Sequence, residues 1–284
     1  MIQPGIALVI LTTWNILLIV QLLAVLVIVG VYVIYLRNLG HCPPELRLRR
    51  KGLDLSLAGQ PDKAEKYFRK SLAMLDASDQ VRPLVCMANA LMDQGRYQES
   101  QEYLERALEL GDTTGSGQNS MADLLLGLRT DPEKVLNLVD QAVELNTGRS
   151  KRDIYFGGGV NDDLRRASYW ARRTRALMLL DRRAEALQAM DRATRIVEAA
   201  KEEARQTRPH NSFRVMLVIG SHRLANHRDL AIATTHWQIG LAFLAIEDSG
   251  KAIEHFRITR DTDRRGKYRR LAQQQLSRLE SRLK

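Results

Sequence analysis

The chain opens on an uninterrupted apolar run: from Ile6 to Leu36 there is no charged side chain. As a helix this run would span about 46 Å, more than the roughly 30 Å hydrocarbon thickness of a bilayer. A helix buried in a globular core keeps a polar face, and this stretch has none. The pattern predicts a transmembrane helix within residues 6–36. Its most apolar part runs from Ile16 to Tyr35, with Trp14 and Asn15 near one interface and Tyr32 and Tyr35 near the other, where amphipathic rings are favoured. A cleaved leader fits less well. There is no basic n-region, the apolar stretch is too long, and no small-residue cleavage pattern precedes Arg37. Residues 37–44 read as a juxtamembrane linker.

Beyond the linker, apolar positions recur at helical spacing and the pattern itself repeats. Leu48, Gly52, Leu55, Gly59, Ala64, Phe68 and Ser71 return 36 residues later as Leu84, Ala88, Leu91, Gly95, Ser100, Leu104 and Ala107. Small residues at Gly52/Ala88 and Ala64/Ser100 allow two antiparallel helices to approach, and Gly59 and Gly95 end the first helix of each pair, where a left-handed cap is cheap for glycine. Later copies follow through Trp170, Leu177, Ala186, Met190 and Ala193, and through Gly240, Phe243, Ala252 and Phe256. A degenerate copy lies between, through Leu126, Val135, Val139 and Ala142. The stretches GQPDKAEKYFRKSLAML and GRYQESQEYLERALEL resemble the tetratricopeptide repeat, a 34-residue helix-turn-helix unit. That resemblance implies an all-α chain in which the transmembrane helix is followed by an α-solenoid of such repeats over residues 45–262. Each copy departs from the family in lacking the closing proline, replaced by residues such as Asp76 and Asp112.

The spacing of the second-helix anchors places insertions near 146–166 and 198–232. The first reads as a polar loop around Gly157 to Gly159, without the lysine or spacing of a phosphate-binding loop. In the second, Pro209 marks the start of an added helix or a helix extension through Phe213 to Ile219. Residues 263–284 place Tyr268, Ala272, Leu276, Leu279 and Leu283 on one narrow stripe, which suits the capping helix that a repeat array needs.

Charge sharpens this picture. Net charge is −3 over residues 37–148, +5 over 149–200 and +8 over 201–284, so the chain's +10 belongs to its second half. A basic half admits anionic lipid or nucleic acid as alternative partners, and scattered pairing with acids would argue against both. Arg37, Arg47, Arg49, Arg50 and Lys51 follow the apolar run while Met1 to Gly5 carries no basic side chain. By the positive-inside rule the N-terminus is outside and the repeats are cytoplasmic. Two cysteines, Cys42 and Cys86, form neither a disulfide framework nor a zinc motif, which suits a reducing compartment.

No residue set supports catalysis, a cofactor or a metal site. His222 and His227 would lie about 140° apart on a helix, and His210, His222, His227 and His236 are expected at the surface or in loops. The resemblance instead implies a concave groove lined by the first helix of each pair, with Arg49, Asn89, Met92, Arg172, Arg175 and Trp237 facing it. Asn89 and Arg175 stand where peptide-binding members of the family place an amide or a cation for a ligand. The implied function is a membrane-anchored scaffold for a protein or peptide partner, acidic ligands being favoured by the basic groups.

Overall fold

The computed structural model describes residues 21, 23–32, 43–147, 158–206, 221–263 and 266–282. The chain divides into two compact units, Met1–Arg47 and Leu48–Lys284. In the first, residues 23–32 are helical, and the large apolar side chains from Leu23 to Tyr32 are 51–67% exposed. The remainder of the apolar run expected to cross a membrane lies largely outside the described residues. Among the described residues no helix is long and apolar enough to do so.

The rest of the described chain is helical, without a strand among the described residues. The helices pair in order: α1 (Pro44–Leu57) with α2 (Pro61–Leu72), α3 (Val81–Asp93) with α4 (Tyr97–Glu109), α5 (Ser116–Leu128) with α6 (Pro132–Thr147), α7 (Gly158–Leu179) with α8 (Arg183–Gln206), and α9 (Ser221–Ala245) with α10 (Ser249–Thr262). A last helix, α11 (Lys267–Arg282), packs on α10.

One backbone device recurs in every pair. The amide of the residue after each turn donates back to a carbonyl five positions earlier: Gln60 to Leu55, Arg96 to Leu91, Thr130 to Leu125, Arg182 to Leu177 and Asp248 to Phe243, at 2.9–3.0 Å. This closure needs the preceding residue in the left-handed region. Gly59 and Gly95 supply it as expected, but Arg129, Asp181 and Glu247 adopt it in the later pairs, with φ of 56°, 58° and 68°. The bonds fix a common register. Leu53, Asn89, Asp123, Arg175 and Leu241 are equivalent, as are Arg49, Val85, Asn119, Ala171 and Trp237.

The same register aligns Gly52, Ala88, Ala122, Thr174 and Gly240 at the closest approach of the paired helices. A Cβ on Gly52 would lie 2.6 Å from Cε1 of Phe68, and one on Gly240 would lie 2.6 Å from Cε1 of Phe256. Larger small residues are accommodated where the partner is Leu104, Val139 or Met190. Ser100, at an anchor position, turns its hydroxyl to the Ala88 carbonyl at 2.9 Å, so its polarity is satisfied in the contact.

The core consists of three linked clusters. Ala64, Phe68, Met87 and Leu91 centre the first, Leu84, Leu104, Met121, Val135 and Leu177 the second, and Met190, Ile239, Phe256, Ala272 and Leu276 the third. Leu72 and Tyr103 flank both the first and second, and Trp170 both the second and third. The apolar stripe of α11 is thus buried, with Leu283 outside the described residues.

Where a closing proline is missing, Asp112 acts instead. Its buried carboxylate accepts from the Thr114 amide and hydroxyl, both at 2.7 Å, from the Ser116 hydroxyl at 3.2 Å, and from the Gly117 amide. Burial pushes this carboxyl up, and those hydrogen bonds together hold it below the usual aspartate range. The anion therefore stays charged at the N-terminus of α5, where the helix dipole favours it.

The insertions differ from their expected form. Gly158 and Gly159 belong to the first turn of α7, and the helices flanking the second insertion are long, α8 reaching Gln206 and α9 starting at Ser221. Gly157, Pro209 and the expected helix through Phe213 to Ile219 lie outside the described residues.

Candidate functional site

One hydrogen-bonded network joins the first helices of the third, fourth and fifth pairs. Asp123 on α5 is the meeting point. It accepts Nε and Nη2 of Arg172 on α7 at 2.8 and 2.7 Å, and Nε2 of Gln238 on α9 at 3.1 Å. Since α7 stands between α5 and α9 in chain order, the Asp123–Gln238 bond reaches past it.

Arg172 is 6% exposed and also donates to the Ser168 carbonyl and hydroxyl at 3.3 and 3.1 Å. Burial works against its charge, but Asp123 outweighs the effect and the guanidinium is held above its ordinary range. Arg172 is therefore a fastener between pairs, engaged by a carboxylate of its own chain. One turn along α7, Arg175 is in a different position. Its Nη1 donates to Oε1 of Gln238 at 3.2 Å, a neutral acceptor. Its charge is disfavoured by burial first and by Arg172 beside it, while Asp123, already bonded twice over, gives partial relief. Among the described residues Arg175 is a half-buried cation without a carboxylate hydrogen-bonded to it.

The remaining expected residues fall into two groups. Trp237 on α9 is half-buried, 5.3 Å from the Phe256 ring and 6.4 Å from the Tyr268 ring. Arg49, Asn89 and Met92 lie at the other end of the row, on α1 and α3, all half-buried, with Met92 against the second cluster. Asp93 follows Asn89 by one turn and is bonded by Lys267 of α11 at 2.6 Å.

Sequence reasoning did not find Asp123 or Gln238. The degenerate third copy is framed on Leu126 in the sequence, because Arg129 stands where Gly59 and Gly95 mark the turn. The signal was nonetheless present: Asp123 occupies the position of Asn89 once the turn is placed at Thr130. The histidine reading also needs correction. His236 is 2% exposed, and its Nδ1 lies 2.8 Å from Nδ1 of His255, a residue outside the group considered from sequence. Helix α9 extends through the second insertion and carries His236 against α10. Burial, first of all, brings His236 down to about 3 and His255 to about 4, so both rings are neutral. Among the described residues no group of three or more His, Cys, Asp or Glu side chains is disposed to hold a metal ion. Cys86 is half-buried, and desolvation pushes its thiol up to about 11, which disfavours the thiolate.

Away from the Asp123 network, α7 and α8 form a cleft of about 590 Å³ lined by Trp170, Arg173, Leu177, Gln188, Arg192 and Arg195. Arg192 lies 4.3 Å over the Trp170 ring. Arg173 and Arg195 there are paired with Asp140 and Asp191.

Comparison with known proteins gives a local match: residues 81–113, which contain α3 and α4, match the tetratricopeptide repeat family. No curated protein matches the chain. Among solved structures, a MamA RS-1 ArsTM double mutant is similar at 15% identity over 79% of this chain and 97% of that one, with a TM-score of 0.42. YrrB, described as a TPR protein with an unusual peptide-binding site, is similar at 17% identity over 80% and 91%, with a TM-score of 0.37. A putative kinesin light chain from Podosopora anserina with nearly identical TPR-like repeats gives 15%, 80%, 99% and 0.45.

Proposed function

We propose that this chain, an all-α solenoid of tetratricopeptide-type helix pairs, is a non-enzymatic protein-binding scaffold, held at a membrane by its N-terminal apolar segment with the repeats on the cytoplasmic side. The observation that carries the binding role is Arg175. It is a half-buried cation on the row of first helices, hydrogen-bonded to a neutral amide, at the position equivalent to Asn89 and Asp123. Such a group retains donors for a carboxylate from a partner segment, and a charge-assisted bond in that setting is worth about 1.5–3 kcal/mol. Asn89 and the 40% exposed Leu53 extend the same row towards α1. Anchoring is supported by residues 23–32, a helical stretch with large apolar side chains exposed around it, a surface that water does not tolerate.

The charge pattern favours a protein partner over nucleic acid or anionic lipid. In the basic half, Arg166, Arg173, Arg182, Arg183, Lys201 and Arg257 each pair with an acid, which breaks up a continuous positive field.

The test is affinity capture with the full chain, comparing wild type with Asn89→Ala/Arg175→Ala. Arg172 is left in place because it fastens the repeats. At least tenfold lower recovery of a wild-type partner, with unchanged helical circular dichroism, is the expected result. Equal recovery would remove this row from the binding role. A reporter fused after Lys284 should be active in the cytoplasm, and activity restricted to the outside would reverse the orientation.

A further inference from the structure

The row of first helices already holds a segment of its own chain. Lys267, first residue of α11, is bonded to Asp93 on α3 at 2.6 Å, and its side chain is 19% exposed. Tyr268 lies 6.4 Å from Trp237 of α9. Arg270 donates to the Ala58 carbonyl at 3.3 Å, at the end of α1, and its guanidinium covers Gly59 so closely that a Cβ there would overlap it. One turn of α11 thus engages the first, second and fifth helix pairs together. A helix that merely capped the array would touch its covalent neighbours α9 and α10.

We infer that the first turn of α11 is a latch seated on this row of helices, and that the row opens to a partner segment bearing the same chemistry, a lysine for Asp93 and an aromatic ring for Trp237. This rests on the scaffold reading and assigns it a gate. The rest of α11 stays in place, because Ala272, Leu276 and Leu279 are buried in the third cluster. Displacing the latch exchanges one cation on Asp93 for another, so the acid keeps a partner.

Hydrogen exchange on the full chain tests the latch. Lys267→Glu/Arg270→Ala should speed exchange at least tenfold at Lys267–Arg270 and also at the α1–α2 and α3–α4 turns, while amides around Leu276 keep their rates. Adding Asp93→Lys to Lys267→Glu should restore protection at the α3–α4 turn. A change confined to α11, or no rescue, overturns the latch.

A fluorescent peptide of residues Gly266–Leu271 tests the chemistry. It should bind the unlocked chain at least tenfold more tightly than wild type and lose that gain with Asp93→Asn. Equal binding to both chains, or binding to neither, overturns the assigned occupant. Partner capture insensitive to Asn89→Ala/Arg175→Ala would count against the scaffold reading alone, since neither experiment on the latch depends on it.

Discussion

The five equivalent turn positions carry different side chains in one backbone conformation, and that difference has energetic consequences. Gly59 and Gly95 take positive φ without strain, whereas Arg129, Asp181 and Glu247 place a Cβ against the neighbouring carbonyl, which costs about 1 kcal/mol for a non-glycine residue. Glu247→Gly should therefore raise stability by up to about 1 kcal/mol, the gain being reduced by the greater freedom of glycine in the unfolded chain. Gly95→Ala should lower it by a similar amount. Nothing lies within 4 Å of the added carbon at Gly95, so the loss would report on the backbone alone. Chemical denaturation of both variants checks the pair, and a shift of the same sign in each would contradict the assigned turn geometry. Glycine was the legible half of this signal. A left-handed arginine or glutamate leaves no trace in composition, so the third turn, which places Asp123, has no glycine to mark it, whereas the fourth and fifth copies are framed by their apolar residues.

Between elements, the packing of α9 on α10 depends on two imidazoles that share one proton between their Nδ1 atoms. One ring donates through Nδ1–H and the other accepts, an arrangement that is lost when the accepting nitrogen is itself protonated. His236 faces His255 and Lys201, and His255 faces Lys201, Glu198 and Lys251 as well, with the Phe243 ring 5.3 Å away. Both folded-state values are depressed, to about 3 and about 4, below the ordinary histidine value of 6.5. In acid the unfolded chain consequently binds protons that the folded chain refuses. Stability is full above about pH 6.5 and falls as pH drops towards 4, by up to about 1.4 kcal/mol per pH unit for each ring. Thermal melts of wild type and His236→Phe/His255→Leu between pH 7.5 and 4.5 should diverge, with the variant losing less. Parallel curves would show that the rings titrate normally. At this scale the sequence was informative where packing repeats itself. Gly52 against Phe68 and Gly240 against Phe256 share one geometry, and the apolar period that placed them also placed the helices around them. Accordingly Gly52→Leu, which drives a larger group into the Phe68 ring, should destabilise by about 1–3 kcal/mol or more, visible as a lower melting temperature. The histidine pair follows no repeat, since only its own two helices define it.

Over the whole unit Leu48–Lys284, stability should approximate a sum over helix pairs and the interfaces between neighbours, as in other repeat arrays. Asp123 departs from that rule, because a carboxylate on the third pair bonds groups on the fourth and the fifth. Removing it leaves the buried Arg172 beside Arg175 with, among the described residues, only its Ser168 hydrogen bonds, and deprives Gln238 of an acceptor. Breaking a buried pair in this way costs about 3–5 kcal/mol, and the lower end applies because the Asp123 side chain is 29% exposed. Asp123→Ala should therefore destabilise by about 3 kcal/mol. Asp123→Ala/Arg172→Met should recover at least half of that, since the stranded charge goes with the second substitution and methionine fills most of the space. Cooperativity gives the more discriminating readout. If Asp123 couples pairs three to five, its loss should separate the urea transition of α9–α11 from that of α3–α6, lowering the apparent m-value even in the rescued double variant. A double variant that regains both stability and a single steep transition would show the network to be an ordinary ion pair, with the coupling carried by Trp170 and the apolar clusters it joins.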